Sequence, residues 1–214
     1  MSEKRSYSSA VRDESARLTR QRIVGAAAEL FVERGYAGTT IDAVAERAAV
    51  SRRTVFSSVG SKVELLKTAW DWAVVGDDEP IAVVDRPEIA RMRAERDPET
   101  LVRMWVTQVL DVGSRTAPLA RVLARAVDVD PEAEALQQRI DLERRTGASY
   151  FVAGLDSIGG LRPDVSVDEG ADMAWVLMNP LWVLRLREDR GWDDDRVRAW
   201  LVRLTRVSLL GDGH

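Results

Sequence analysis

An all-α chain is predicted, on three observations. Apolar residues recur at helical spacing along most of its 214 residues, seven helix starts carry Ser, Thr or Asp caps, and no segment alternates as a strand would. The pattern divides into an N-terminal helix-turn-helix domain and a larger C-terminal helical body. Residues 1–14 form an arm, 15–66 the head with its helix-turn-helix at 40–59, and 67–214 the body.

Taken in order, residues 1–14 are polar, include Lys4, Arg5 and Arg12, and show no apolar period, so they are expected to be disordered. A basic arm of this kind suits a minor groove, and a solvated tail is the plainer expectation. The first helix is expected from about Ser15 to Arg34. Ile23, Ala26, Ala27, Leu30 and Phe31 make its buried stripe, and Gly35 is placed to end it. Thr40 caps a short helix in which Ile41, Val44, Ala45 and Ala48 share one face. Ala49-Val50-Ser51 makes the turn, and Ser51 caps a second helix over Arg52 to Ser58.

With Val55 and Val59 turned inward, that second helix presents Arg52, Arg53, Phe56 and Ser57 outward. Two adjacent guanidinium groups with hydroxyls beside them suit a major groove, where arginine bonds guanine edges bidentately or clamps phosphate. Ser61-Lys62-Val63-Glu64 is a capping box that opens a helix to about Val75 and sets Lys62 where unpaired N–H groups already favour an anion. The expected DNA-binding set is Thr40, Ser51, Arg52, Arg53, Thr54, Phe56, Ser57 and Lys62. Double-stranded DNA is the expected partner.

Beyond this point Asp77-Asp78-Glu79-Pro80 breaks the chain, and a short helix is expected near 87–95. Asp97-Pro98-Glu99 and Asp130-Pro131-Glu132 each combine a capping acid with proline at the first helical position. Helices are therefore expected over 98–114 and 118–128, split by Pro118, and from 131 to about Ile158, ended by Gly159-Gly160. Ser166-Val167-Asp168-Glu169 opens a helix to about Asp189. After Gly191, Asp193 caps a last helix to about Leu210.

Residues 19–66 resemble the N-terminal domain of the TetR family of transcriptional regulators. The resemblance rests on Thr19, Arg22-Ile23, Ala26-Ala27, Leu30-Phe31, Glu33-Arg34-Gly35-Tyr36, Thr39-Thr40, Val44-Ala45, Ala48, Val50-Ser51, Thr54, Phe56 and Ser61-Lys62. It implies a helix joining the reading head to a regulatory body, a ligand pocket in that body, and dimerisation. The chain departs from the family pattern at Phe56, Ser57 and Ser58, which stand for the usual tyrosine and its neighbours, and at Val59, which replaces a phenylalanine. Phe56 brings no hydroxyl to a phosphate, while Ser57 and Ser58 offer shorter ones.

Charge and composition agree with a divided molecule. The chain carries a net −4, yet residues 1–67 hold 12 Lys and Arg against 8 Asp and Glu, and the remaining residues 19 against 27. A basic head on an acidic body confines the surface that displaces phosphate counterions to one end. Cysteine is absent and the one histidine is His214, so no thiolate metal site and no Ser/His/Asp or Cys/His set is expected. The acids at 77–79 read as a solvated turn, and neither a catalytic residue, a metal nor a cofactor is expected. No signal peptide or membrane span is legible, and a cytoplasmic protein is expected.

In the body, Trp70, Met104, Trp105, Phe151, Trp175 and Met178 are the candidate lining of a site for a small apolar ligand, although such side chains also fill ordinary cores. The last two expected helices are apolar on more than one side. A second copy of the chain is the economical cover, and Leu181, Leu184, Trp200, Leu201 and Leu204 are the candidate homodimer contacts. A repressor released from a palindromic operator by a ligand is the leading expectation. A helical small-molecule-binding protein with a degenerate head is the alternative.

Overall fold

The computed structural model describes residues 3–79, 81–128 and 130–211, with side chains described from residue 12 onward. Its elements are α1 (Glu3–Gly38), α2 (Ile41–Arg47), α3 (Arg52–Ser58), α4 (Lys62–Val75), a 3-10 turn (Val83–Asp85), α5 (Pro87–Ala94), α6 (Pro98–Ala126), α7 (Pro131–Ser157), α8 (Val167–Leu177), α9 (Pro180–Arg190) and α10 (Asp194–Leu209). The only pairing of extended backbone among the described residues is one isolated antiparallel bridge, Leu161 to Leu210. The all-α expectation holds.

Helix starts follow the caps. Thr40 accepts from the Ala43 N–H, Ser51 from Thr54, Asp97 from Thr100, Asp130 from Glu132 and Asp193 from Arg196. Ser61 and Glu64 complete a reciprocal capping box, with Ser61 N–H donating to Glu64 at 2.6 Å. At Ser166 the forward bond to Glu169 N–H is present at 3.2 Å. Gly35 has φ 72° as expected of a helix-ending glycine, but ψ 175° takes it outside the left-handed helical well, and the chain resumes a last turn to Gly38 before breaking.

Three expected boundaries are corrected. The helix expected from Ser15 begins at Glu3, so the arm expected to be disordered is helical from that residue; residues 1 and 2, and His214 at the other end, lie outside the described residues. Pro118 does not split the helix it occupies: α6 runs through it, because Thr116, Ala117, Leu119 and Ala120 on either side are all buried and packing outweighs the lost N–H bond. The helix expected to run to Asp189 is two. Asn179 accepts from Leu181 N–H and Pro180 takes the first position of α9, a start signal that the continuous apolar pattern masks.

Two buried clusters organise the packing. The first joins Ile23, Leu30 and Phe31 of α1, Val44 of α2, Val55 of α3, and Leu65, Leu66 and Trp70 of α4 to Leu119 and Leu123 of α6 and Leu136 and Ile140 of α7. The second gathers Leu101, Trp105, Val106 and Leu110 of α6 with Phe151, Val152 and Leu155 of α7, Leu177 of α8, Val183 of α9 and Val197, Leu201 and Leu209 of α10. Helix α6 contributes to both. The core of the head is therefore continuous with one end of the body, and α4 crosses from one to the other within a single uninterrupted helix.

Candidate functional site

At the head, α2 and α3 are joined by Ala49-Val50-Ser51, with Ala49 at φ 53°, a left-handed conformation unusual for a residue with a Cβ. Val55 is fully buried and Val59 half-buried, which leaves Arg52, Arg53, Phe56 and Ser57 exposed on the outer face of α3 as expected. Phe56 is 46% exposed, which rules out a core role within the chain. The Arg52 guanidinium lies 5.7 Å from the Phe56 ring centroid and pairs with Asp42 at 3.0 Å. Arg53 makes no ion pair or side-chain hydrogen bond with another described residue. The hydroxyls are partly committed: Ser51 Oγ and Thr54 Oγ1 stand 2.8 Å apart, and Ser57 Oγ donates to the Thr54 carbonyl at 3.2 Å.

Lys62 is less free than its position at a helix start predicts. Its ammonium donates to the Tyr36 carbonyl at 3.1 Å and sits 4.1 Å from the Tyr36 ring centroid. The Tyr36 phenol is pushed up to about 12, first by burial and then by the nearby charge of Asp130. Two arginines missed in the sequence hold the head in register. Arg20 of α1 donates to the Ser58 carbonyl at 2.6 Å, and Arg47 of α2 pairs with Glu33 of α1 at 2.8 Å.

In the body a cavity of about 870 Å³ opens between α4, α6 and α7. Trp70, Trp105, Phe151 and Met178 of the expected set line it, and Trp105 and Phe151 stack with centroids 4.4 Å apart and planes 10° from parallel. Met104 and Trp175 do not line it. Met104 is half-buried elsewhere on α6, and the Trp175 ring lies under the Arg144 guanidinium at 5.7 Å. Helical spacing places such residues on a face but does not say which face meets the void.

The cavity wall also carries charge and a strap. Lys67 bridges Asp71 and Glu143 at 2.5 and 3.1 Å, and both acids line the cavity. Arg144, also in the wall, donates to Asp141 at 2.8 Å and to the Trp175 carbonyl at 3.0 Å, while burial holds its guanidinium below the usual arginine range. Residues 77–79 and 81–86 form a strap beside the cavity, and Ile81, Val83 and Val84 present apolar side chains that are both partly exposed and part of the lining. Asp77 anchors this strap by two bonds to the buried Arg86, at 2.7 and 2.8 Å, which hold its carboxyl down to about 2. Asp78 pairs with Arg17 of α1 at 3.0 Å, tying the strap to the head.

Among the expected dimer contacts, Leu201 is fully buried within its own chain and is not available to a partner. Leu181 packs on the head-side cluster, and Leu184, Trp200 and Leu204 are half-buried. Trp200 meets Trp182 edge-on at 4.9 Å and Trp192 at 6.2 Å, forming a partly exposed tryptophan cluster. Among the described residues no helix is long and apolar enough to cross a membrane, and no group of three or more His, Cys, Asp or Glu is placed to hold a metal.

Residues 23–69 match the family model described as bacterial regulatory proteins, tetR family. The HTH-type transcriptional regulator CymR of Pseudomonas putida is 27% identical over 202 residues, covering 92% of this chain and 91% of that protein. The crystal structure of NalD, described as the secondary repressor of the MexAB-OprM multidrug efflux pump in Pseudomonas aeruginosa, superposes with a TM-score of 0.67 at 20% identity, over 91% of this chain and 97% of that one. A SmeT–triclosan complex superposes with a TM-score of 0.66 at 18% identity, over 91% and 93% of the two chains. At such identities the two structures speak to the fold alone. The head thus matches the tetR-family model of bacterial regulatory proteins, and the chain as a whole is similar in sequence to a transcriptional regulator and in fold to the two solved structures.

Proposed function

We propose that the chain is a repressor that binds a palindromic operator as a homodimer and releases it when a small, largely apolar molecule fills the body cavity. Residues 15–66 act as the reading head and 67–214 as the ligand-binding and dimerising body, in the cytoplasm. One observation carries this reading: an unoccluded arginine face on α3 and an apolar cavity of about 870 Å³ share one helix, α4, which starts at the head and lines the cavity with Trp70. Both the described role of NalD and the triclosan bound to SmeT support it as likenesses.

Within the head, Arg53 is assigned to base edges, because Arg52 is already engaged by Asp42 and Phe56. Thr40, Ser51, Thr54, Ser57 and Lys62 position the phosphate backbone, with Lys62 exchanging its Tyr36 carbonyl for a phosphate oxygen. Two heads related by a dimer axis read inverted half-sites. Ligand and operator oppose each other by one shared factor, since coupling is reciprocal.

Footprinting on the DNA upstream of its own gene tests the reading. A two-fold symmetric protected region at low salt is expected. Arg53→Ala should cost about 1 to 3 kcal/mol and relax preference at one symmetric pair of positions. Wild-type protein without sequence preference there would overturn the repressor reading and leave a helical small-molecule-binding protein with a degenerate head.

A further inference from the structure

Apart from Gly38, the last residue of α1, five glycines sit within described helices of the body and head without a positive φ: Gly25, Gly113, Gly147, Gly154 and Gly170. Glycine weakens a helix interior relative to alanine, so each such position invites a reason. Gly170 has one in packing, because a Cβ there would stand 2.8 Å from Val152 Cγ1. Gly113, Gly147 and Gly154 have none. A Cβ at these positions would meet only Pro180 Cβ at 4.0 Å, Met178 Cε at 3.9 Å and Leu101 Cδ2 at 3.8 Å, all ordinary contacts. All three line the cavity, whereas Gly25 is an exposed residue of α1.

Their placement relative to the aromatic pair gives the cavity a shape. On α7, Gly147, Phe151 and Gly154 follow at i, i+4 and i+7 and so share one face, which leaves no side chain at the positions one turn before and after Phe151, between the lining side chains of Thr146, Tyr150 and Ala153. On α6, Trp105 stacks on that ring and Gly113 thins the wall two turns further on. Gln108, one turn from Trp105, lines the same space, and its side-chain amide makes no hydrogen bond with another described residue. A wall thinned at three glycines beside stacked rings, with a single amide able to donate and accept, fits a fused or conjugated ring system better than a flexible chain.

We propose that the cavity is a slot for a planar aromatic ligand, whose width is set by Gly113, Gly147 and Gly154 and whose ring lies along the Trp105–Phe151 pair with one polar substituent on Gln108. This rests on the reading of the cavity as the effector site and adds the ligand's shape to it.

The test is a fluorescence titration of the full chain with 1-aminoanthracene, a neutral fused-ring probe, displaced in turn by 2-naphthol and decan-1-ol. These competitors have equal carbon numbers, and burial of apolar surface alone favours the flexible alcohol. The slot predicts displacement by 2-naphthol at the lower concentration. Gly147→Val and Gly154→Val should each weaken the probe by about tenfold or more, as added methyl groups do in a filled hydrophobic site. Gly147→Ala and Gly154→Ala report even where valine disturbs folding: each should raise Tm, because the fold does not need glycine there, while narrowing the slot. Probe binding unchanged in these variants, a lower Tm in the alanine variants, or decan-1-ol as the better competitor would overturn the slot and leave the apolar-effector reading standing. Wild-type protein that binds none of the three compounds would overturn both.

Discussion

Phe56 places an aromatic ring without a hydroxyl on the outer face of α3, with Arg52 against it and solvent on the other side. Restoring a phenol there adds a donor at the rim of the face assigned to DNA without touching the buried Val55. Phe56→Tyr should tighten operator binding by about twofold to tenfold, the equivalent of one net hydrogen bond. Titration of the footprinted operator by fluorescence anisotropy measures it, and an unchanged affinity would remove position 56 from the phosphate contacts. At this scale, exposure on α3 was legible because Val55 and Val59 define an inward face and leave Arg52, Arg53, Phe56 and Ser57 no other direction. Partnerships were not legible. Asp42 lies ten residues before Arg52 and Tyr36 lies 26 before Lys62, and only the crossing of helices brings these groups together.

At the scale of elements, the strap between α4 and α5 is held by an ion pair that closes a short stretch of chain. Arg86 is 7% exposed, and its two bonds keep the Asp77 carboxyl at about 2 against an ordinary value of 3.8. A carboxyl whose folded value is depressed stabilises the fold fully above its unfolded value and loses that contribution as pH falls through the folded one. Asp77→Asn should therefore lower Tm at neutral pH, and the gap to wild type should shrink as pH falls from about 5 and close at about pH 1, below the folded value, where Asp77 itself is neutral. Parallel thermal melts across that window check the sign; a gap that persists undiminished at about pH 1 would assign the loss to packing instead of charge. The seven caps made most helix starts readable, since each is a local bond between a side chain and an N–H two or three residues on. Pro118 and Pro180 show where local reading fails. One proline lies inside a helix because its neighbours are buried on both sides, and the other starts a helix inside an apolar run that reads as continuous.

Across the whole molecule, the surface of α8, α9 and α10 asks for cover that one chain does not supply. The Trp182, Trp192 and Trp200 cluster is only half-buried, Leu184 and Leu204 are likewise half-buried, and Val207 is 67% exposed. On α10, Trp200, Leu204 and Val207 follow at i, i+4 and i+7 and share one face, while Val197, Leu201, Thr205 and Leu209 are buried within the chain. The helix is thus amphipathic twice over, with its buried side already occupied. A symmetric partner presenting the same face would cover the remainder, because a two-fold contact is self-complementary. Leu204→Glu tests this at a position that also packs on the chain's own core, so its effect mixes folding with association. Val207→Glu separates the two, since a residue this exposed contributes little to the monomer, whereas a buried unpaired carboxylate at a subunit contact is strongly unfavourable. Light scattering at micromolar concentration should give twice the chain mass for the wild type and a single chain for Val207→Glu, with unchanged helical circular dichroism in both. A monomeric wild type would remove the dimer and with it the spacing of two heads on inverted half-sites; a dimeric Val207→Glu would move the contact off this face of α10.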